Sequence, residues 1–282
     1  MKRVLKVTLL LAAAWLASCS SVRFAYENAD AYLLWRANSY LDLDGAAYEA
    51  LDERIDDFVG WHRATALPQY VKLSEETAAR VSKGLSRADL VWGYDSFMGQ
   101  ARQSLRAAAE RIAPLLDGLS ARQLRRMEQR FEEDNRRFRK ESLRGSEAER
   151  RKRRAKRTQE RLEDWVGDLD RAQVQRVRQY SERAPLIAEL HERERMRLQG
   201  ELLAMLREGT AHKLLAERAA SFDQGRDPAY VAAAEAARAE FFELLLDLDK
   251  TLSYAQRARA VEKLRRYGRD FAVLAGREPP AR

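Results

Sequence analysis

After Ser21, apolar residues recur every three or four positions almost to the end of the chain. No stretch sustains the strict alternation of a half-buried strand. The pattern predicts helices over about 26–41, 45–65, 68–83, 87–113, 121–166, 171–183, 186–222, 228–249 and 254–274. Pro68, Pro114, Pro185 and Pro228 fall at the edges of these segments, where a missing N–H and a fixed φ are tolerated. Asp227-Pro228 reads as an N-cap followed by proline at the first helical position. Gly145 is placed to interrupt the long segment, and Gly200 or Gly209 the later one. The expectation is an all-α fold: a multi-helix, bundle-like array of about eight or nine helices with one long basic central helix. The part through about residue 113 reads as a compact helical unit, with a sub-division near 114–120. No Pro/Gly/Ser linker separates the parts, so 19–282 is taken as one continuous helical domain.

A short pattern recurs where several of these helices should begin. Leu119-Ser120-Ala121-Arg122-Gln123, Leu169-Asp170-Arg171-Ala172-Gln173 and Leu252-Ser253-Tyr254-Ala255-Gln256 share the form Leu, Ser or Asp, two residues, Gln. Leu85-Ser86-Arg87-Ala88-Asp89 is a variant ending in Asp, and Leu43-Asp44-Gly45-Ala46-Ala47 lacks the final polar group. Ser or Asp at the N-cap accepts a bond from a free N–H of the first turn. Gln three residues on can bond back to the cap's own N–H, which makes a capping box. The leading Leu is positioned to staple onto Leu124, Val174, Leu90 or Tyr48; in the last copy that position holds Arg257.

Composition agrees with helix. Gly (13) and Pro (6) are few, while charged residues make up 34% and apolar residues 45% of the 282 positions. The net charge of +8 falls to about +5 without Lys2, Arg3 and Lys6. Those three belong to a leader: a positive stretch Met1–Lys6, an apolar run Val7–Leu16 too short to span a bilayer, then Leu16-Ala17-Ser18-Cys19. This resembles the lipobox of bacterial lipoproteins. The resemblance implies cleavage after residue 18, a diacylglyceryl group on the Cys19 thiol and a third, palmitate-type acyl chain on its amine. Two or more chains anchor stably. Ser20 after the cysteine, rather than Asp, implies the outer membrane, facing the periplasm. Cys19 is the only cysteine, so internal disulfides and thiolate metal sites are excluded.

The capping pattern also resembles the LTxxQ signature of the Spy and CpxP periplasmic stress proteins, which are helical, ATP-independent chaperones or inhibitors. A broader resemblance rests on Cys19-Ser20-Ser21-Val22-Arg23-Phe24-Ala25-Tyr26-Glu27-Asn28-Ala29-Asp30, on Leu41-Asp42-Leu43-Asp44, and on Trp61-His62-Arg63 with Leu67-Pro68-Gln69-Tyr70. These segments are similar to an uncharacterised family of proteobacterial predicted lipoproteins. That likeness implies lipidation and a helical fold and brings no catalytic residues.

Candidates for chemistry are few. His62, His191 and His212 lack the Glu-x-x-His spacing of di-iron bundles, and His62 near a predicted helix end suits a C-terminal capping or dipole role. Asp52, Glu53, Asp56 and Asp57 could do acid–base work only across a cleft; with Arg54 interleaved they read as a solvated helix face. Phosphate loops, nucleophile elbows and zincin motifs are missing from the sequence. Tyr26, Tyr32, Trp35, Tyr40, Phe58, Trp61, Trp92, Tyr94 and Phe97 crowd the first third and read mainly as core, although Tyr32-Leu33-Leu34-Trp35 is apolar on more than one face and could meet a membrane or partner.

The densest charge is Arg150, Arg151, Lys152, Arg153, Arg154, Lys156 and Arg157, followed by Arg161 and preceded by Arg136, Arg137, Arg139, Lys140 and Arg144. Glu147, Glu149 and Glu160 offset only part of it. An exported chain should not meet cytosolic nucleic acid, so the run is a candidate anion-binding site for phospholipid headgroups, lipopolysaccharide phosphates, peptidoglycan carboxylates or an acidic protein surface. A solvated helical arm with no ligand is the alternative. The expected function is a non-enzymatic, membrane-anchored periplasmic binding or envelope-maintenance protein, with no cofactor or metal. A Spy-like chaperone and, further off, an envelope enzyme using Asp52 or Asp56 are the alternatives.

Overall fold

The computed structural model of the chain describes residues 21–276. The candidate leader of residues 1–18 and the candidate lipidation site Cys19 lie outside the described residues. Among the described residues every regular element is helical. In chain order these are α1 (Ser21–Glu27), α2 (Ala29–Leu41), α3 (Gly45–Trp61), α4 (Leu67–Lys83), α5 (Arg87–Leu116), α6 (Ala121–Phe138), α7 (Glu147–Val166), α8 (Arg171–Arg183), α9 (Ala188–Arg207), α10 (Ala211–Ala220), α11 (Pro228–Thr251) and α12 (Tyr254–Leu274). A π-turn at His62–Ala66 fuses α3 to α4, and a second at Arg139–Leu143 extends α6. With the fused pair taken as one, the described residues form eleven helices, more than the eight or nine expected.

Local backbone chemistry explains the difference. The single long basic helix does not form: Gly145 adopts φ +85°, Ser146 caps a new helix, and Glu149 closes its capping box. A Cβ at Gly145 would collide with the Glu149 carboxylate, so the break suits glycine in both conformation and space. The segment 186–222 splits at Gly209, φ +62°, while Gly200 stays inside α9. A further break at Asn28 divides α1 from α2. In the opposite sense, Pro68 ends nothing. Its ring removes an N–H and crowds the carbonyl four residues back, and the π-turn before it, closed by Leu67 N–H on the His62 carbonyl, lets the helix continue. Likewise α5 runs through Pro114 to Leu116.

The capping boxes form at Ser86/Asp89, Ser120/Gln123, Asp170/Gln173 and Ser253/Gln256, while Asp44 makes no side-chain cap bond. The glutamines also do something that local pattern does not reveal. Gln173 and Gln256 exchange amide hydrogen bonds of 3.1 and 3.0 Å. Each also reaches the chain two residues before the other's cap: Gln173 donates to the Thr251 carbonyl at 3.2 Å and Gln256 to the Asp168 carbonyl at 2.9 Å. Gln123 repeats the gesture on the Asp42 carbonyl, two residues before Asp44, at 3.2 Å. Two helix starts are thus clasped together twice in the molecule, and Gln173 is 1% exposed within one clasp.

Apolar burial is divided among three cores. Leu41, Leu51, Ile55, Leu116, Met127 and Leu206 form the largest, between α2, α3, α5, α6 and α9. Ala78, Val81, Ala260 and Val261 join α4 to α12. Val177, Leu244 and Leu248 join α8 to α11. Small residues let α4 and α12 approach closely, with a Cβ built on Gly268 only 3.4 Å from that of Ser74. A ladder of rings runs from α1 to α7 through Tyr26, His62, Tyr70, Phe271, Tyr267 and Trp165, with successive centroids 5.5–6.4 Å apart.

Candidate functional site

While α5 packs along α10 and α4 along α12, the first half of α5 stands away from α4 and leaves a cavity of about 780 Å³. Helical spacing puts Gly93, Phe97, Gln100 and Ser104 of α5 on one face of it, and Tyr70, Leu73, Ser74 and Thr77 of α4 on another. Phe58, Val59 and His62 come from α3 and the π-turn, Tyr26, Ala29 and Leu33 from α1 and α2, and Leu264 and Phe271 from α12. In a chain with 34% charged residues, none of the residues lining this cavity is charged. Phe97 is 68% exposed and Leu105 is also exposed, which places an apolar rim on α5. Volume and lining match those of small-molecule binding sites.

The polar groups are few and placed. His62 stands at the start of the π-turn, a distortion that gathers at functional sites. Its Nδ1 lies 3.0 Å from the Tyr26 hydroxyl and its Nε2 3.3 Å from that of Tyr70. Burial lowers the His62 pKa from 6.5, so the ring is neutral at pH 7, with one nitrogen donating to a tyrosine and the other accepting from one. Burial raises the Tyr26 pKa against the opposing pull of Arg63, whose guanidinium lies 5.7 Å from its ring centre. The expected C-terminal capping role for His62 is therefore not what the structure shows, because the helix does not end there. Across the cavity, Gln100 Oε1 and Ser104 Oγ are buried without a hydrogen-bond partner. Such groups carry a desolvation cost.

The basic run is largely spent inside the protein. Arg154 donates to the carbonyls of Ser181 (2.6 Å), Ala184 (2.7 Å) and Pro185 (2.8 Å) and to the Ser181 hydroxyl (3.3 Å), closing the C-terminus of α8. Burial lowers its pKa from the usual arginine value. Arg151 adds bonds to the carbonyls of Ser181, Glu182 and Ala184. Arg150 pairs with Glu189, Arg153 with the Arg144 carbonyl, and Lys156 with Glu160 at 3.7 Å. Lys152, Lys156 and Arg157 are exposed. Arg157 also lines, with Arg150, Arg154 and His191, a small cleft of about 270 Å³.

The other candidates stay apart. Asp52, Glu53, Asp56 and Asp57 are exposed, and Asp57 pairs with Arg111 at 2.8 Å. His191 stacks on Phe138, and its pKa is lowered by burial and by Arg195 and Arg226. His212 is bound by Asp117, which caps the start of α10 through the Ala211 and His212 N–H groups. Among the described residues no group of three or more His, Asp or Glu is placed to hold a metal ion. No helix among them is long and apolar enough to cross a membrane.

Tyr70 entered the sequence reading only within the Leu67-Pro68-Gln69-Tyr70 resemblance, with no role in a site, and Gln100 and Ser104 did not enter it. Their signal was available: Ser96, Gln100 and Ser104 recur every fourth residue on a face otherwise occupied by glycine, alanine and aromatics.

A family profile matches residues 39–220, from the end of α2 to the end of α10. The chain belongs to the family of unknown function DUF6279. The matched region of this DUF6279 member holds His62 and both cavity-facing stripes of α4 and α5, while Tyr26, Leu264 and Phe271 lie beyond it. No curated protein and no solved structure matches the chain.

Proposed function

We propose that this protein is a lipid-anchored protein of the bacterial envelope that works by binding rather than catalysis, and that the cavity at His62 takes an apolar ligand. The observation that carries the reading is a large cavity with apolar walls and no charged lining residue. Its position adds support. Tyr26 is seven residues after Cys19, at most about 25 Å of chain even when extended, so an anchored Cys19 would keep the cavity near the membrane surface. The periplasmic face of the outer membrane is the location in keeping with Ser20. The exposed remainder of the basic run, Lys152, Lys156 and Arg157, is the part left to meet envelope anions.

Two measurements test this. Cys19→Ser should abolish acyl labelling and release the chain from the membrane fraction; a variant that stays membrane-bound would remove the anchor from the account. A photoreactive phenylalanine analogue at Phe97, activated in cells, should capture organic-soluble material of low mass. A discrete protein adduct instead would favour a partner docked on the exposed Phe97 and Leu105.

A further inference from the structure

The outer face of α1 and α2 leaves three large aromatic side chains in solvent. Phe24 is 67% exposed, Tyr32 60% and Trp35 61%. Tyr32 and Trp35 stand together, with ring centres 5.8 Å apart. With Asn28 and Ala31, also exposed, they occupy positions 24, 28, 31, 32 and 35, the spacing of one helical face. The opposite spacing, Tyr26, Ala29 and Leu33, lines the cavity. No charged residue interrupts the outer stripe, and Glu27 and Asp30 flank it on one side only. The two arginines of these helices are turned inward, Arg23 onto Asp270 at 2.7 Å and Arg36 onto Asp134 at 3.1 Å. On the reading that the chain is anchored through Cys19, we infer that this stripe lies in the headgroup region of the bilayer and holds α1 and α2 flat against the membrane. Trp and Tyr settle where an apolar body and a polar tip are both served, as at a membrane–water interface. Phe24 is five residues after Cys19, at most about 18 Å of chain, and Trp35 is about 17 Å of helix further on. So short a tether gives the stripe an effective concentration at the membrane on the order of millimolar, and even weak interfacial affinity then keeps it there. Three aromatic side chains, roughly two-thirds exposed, offer about 300–500 Å². A standard protein interface buries about 800 Å² on each partner, so the stripe is too small to hold a second copy or a partner protein by itself. Seated in this way, the stripe puts the cavity wall of Tyr26, Ala29 and Leu33 one helix diameter, about 10 Å, from the lipid.

The full lipidated chain, purified from membranes and returned to phosphatidylcholine vesicles, tests this with Ala31→Cys labelled by an environment-sensitive fluorophore. An acylated Cys19 cannot react, so the label goes to position 31, inside the stripe with its aromatics intact. Tyr254→Cys is the control. Tyr254 is 92% exposed at the start of α12, and Asp270, which meets Arg23 of α1, is about 24 Å further along that helix. On vesicles the label at 31 should shift to the blue, lose most of its quenching by iodide and gain quenching by lipids brominated near the headgroup end of their chains, as for a group about 5–10 Å deep. The label at 254 should keep its iodide quenching. Tyr32→Ser together with Trp35→Ser should return the label at 31 to iodide while the chain still floats with the vesicles. Both side chains are exposed, so the pair should leave the melting temperature unchanged. A chain that floats but leaves position 31 as open to iodide as position 254, or whose label ignores the double substitution, would overturn the membrane-seated stripe and leave the anchor standing. A label screened from iodide without lipid quenching would overturn it in favour of a protein cover. A chain that does not float would overturn the anchor and the stripe together.

Discussion

The wall of the cavity and the basic turns of α7 are built from opposite materials, and each behaves against the impression its composition makes. In α7, seven basic residues lie within eight positions, yet Arg150, Arg151, Arg153 and Arg154 are turned onto Glu189 and onto the carbonyls that end α8 and precede α7. Around His62, small and aromatic residues that look like ordinary core leave a cavity instead of filling it. The difference teaches that charge density in a sequence measures what must be neutralised, and not what is free to bind. A helix C-terminus exposes carbonyls with partial negative charge, and a planar guanidinium can satisfy several at once. An apolar stripe fills space only if the opposing stripe supplies enough volume. Here Gly93, Ser96, Ala101 and Ser104 do not.

The comparison can be broken most forcefully at Arg154. Arg154→Ala strips several acceptors at the end of α8 and should cost about 2–4 kcal/mol of stability, read by denaturant unfolding. Arg154→Lys should recover only part, since a single ammonium cannot reproduce the fork. No loss of stability would return Arg154 to the pool of free anion-binding residues. Gln173→Leu should cost about 1–3 kcal/mol by leaving the Thr251 carbonyl and Gln256 without their partner in the clasp. On the cavity side the sign reverses: Gly93→Leu removes a helix-interior glycine and should stabilise by up to about 1 kcal/mol while closing the site. Destabilisation there would mean that the space is not truly empty. Lys152→Ala, on the exposed side of α7, should leave the unfolding midpoint unchanged.

The dependence on pH is a small effect. The folded pKa of His62 lies below its unfolded value of 6.5, so between the two the unfolded chain binds a proton that the native ring refuses. Stability from this source is fully present above pH 6.5 and falls as the pH is lowered below it. His191 shifts in the same direction and adds to the slope. His62→Gln should flatten the profile between about pH 7 and 5; an unaltered slope would place the burden on His191 alone.

Much of the fold was legible because its signals are local. The periodicity, Asp227-Pro228 and the capping pairs each act within a few residues, and four capping boxes formed where the pattern placed them. Breaks were harder to read. Gly145 and Gly209 are recognisable as weak points, but whether a glycine stays helical, as Gly200 does, depends on what packs around it. Pro68 misled for a related reason: a proline disfavours the ordinary helical ladder, yet one extra residue in a π-turn accommodates it. Of the site, the aromatics were visible as a group. The meeting of Tyr26 with His62, 36 residues apart, and of both with Tyr70 was not.

The sequence by itself determined that the chain is helical, where most helices start, and that Cys19 is its only thiol. The first two follow from short-range rules of propensity and capping, the third from composition. Only the tertiary structure decided which arginines are consumed at the end of α8, that the capping glutamines also clasp distant helix starts, and that α4, α5 and α12 enclose an uncharged cavity. Those outcomes depend on contacts across dozens to hundreds of residues, where hydrogen-bond geometry and complementary volume decide, and neither is written in any one stretch of chain.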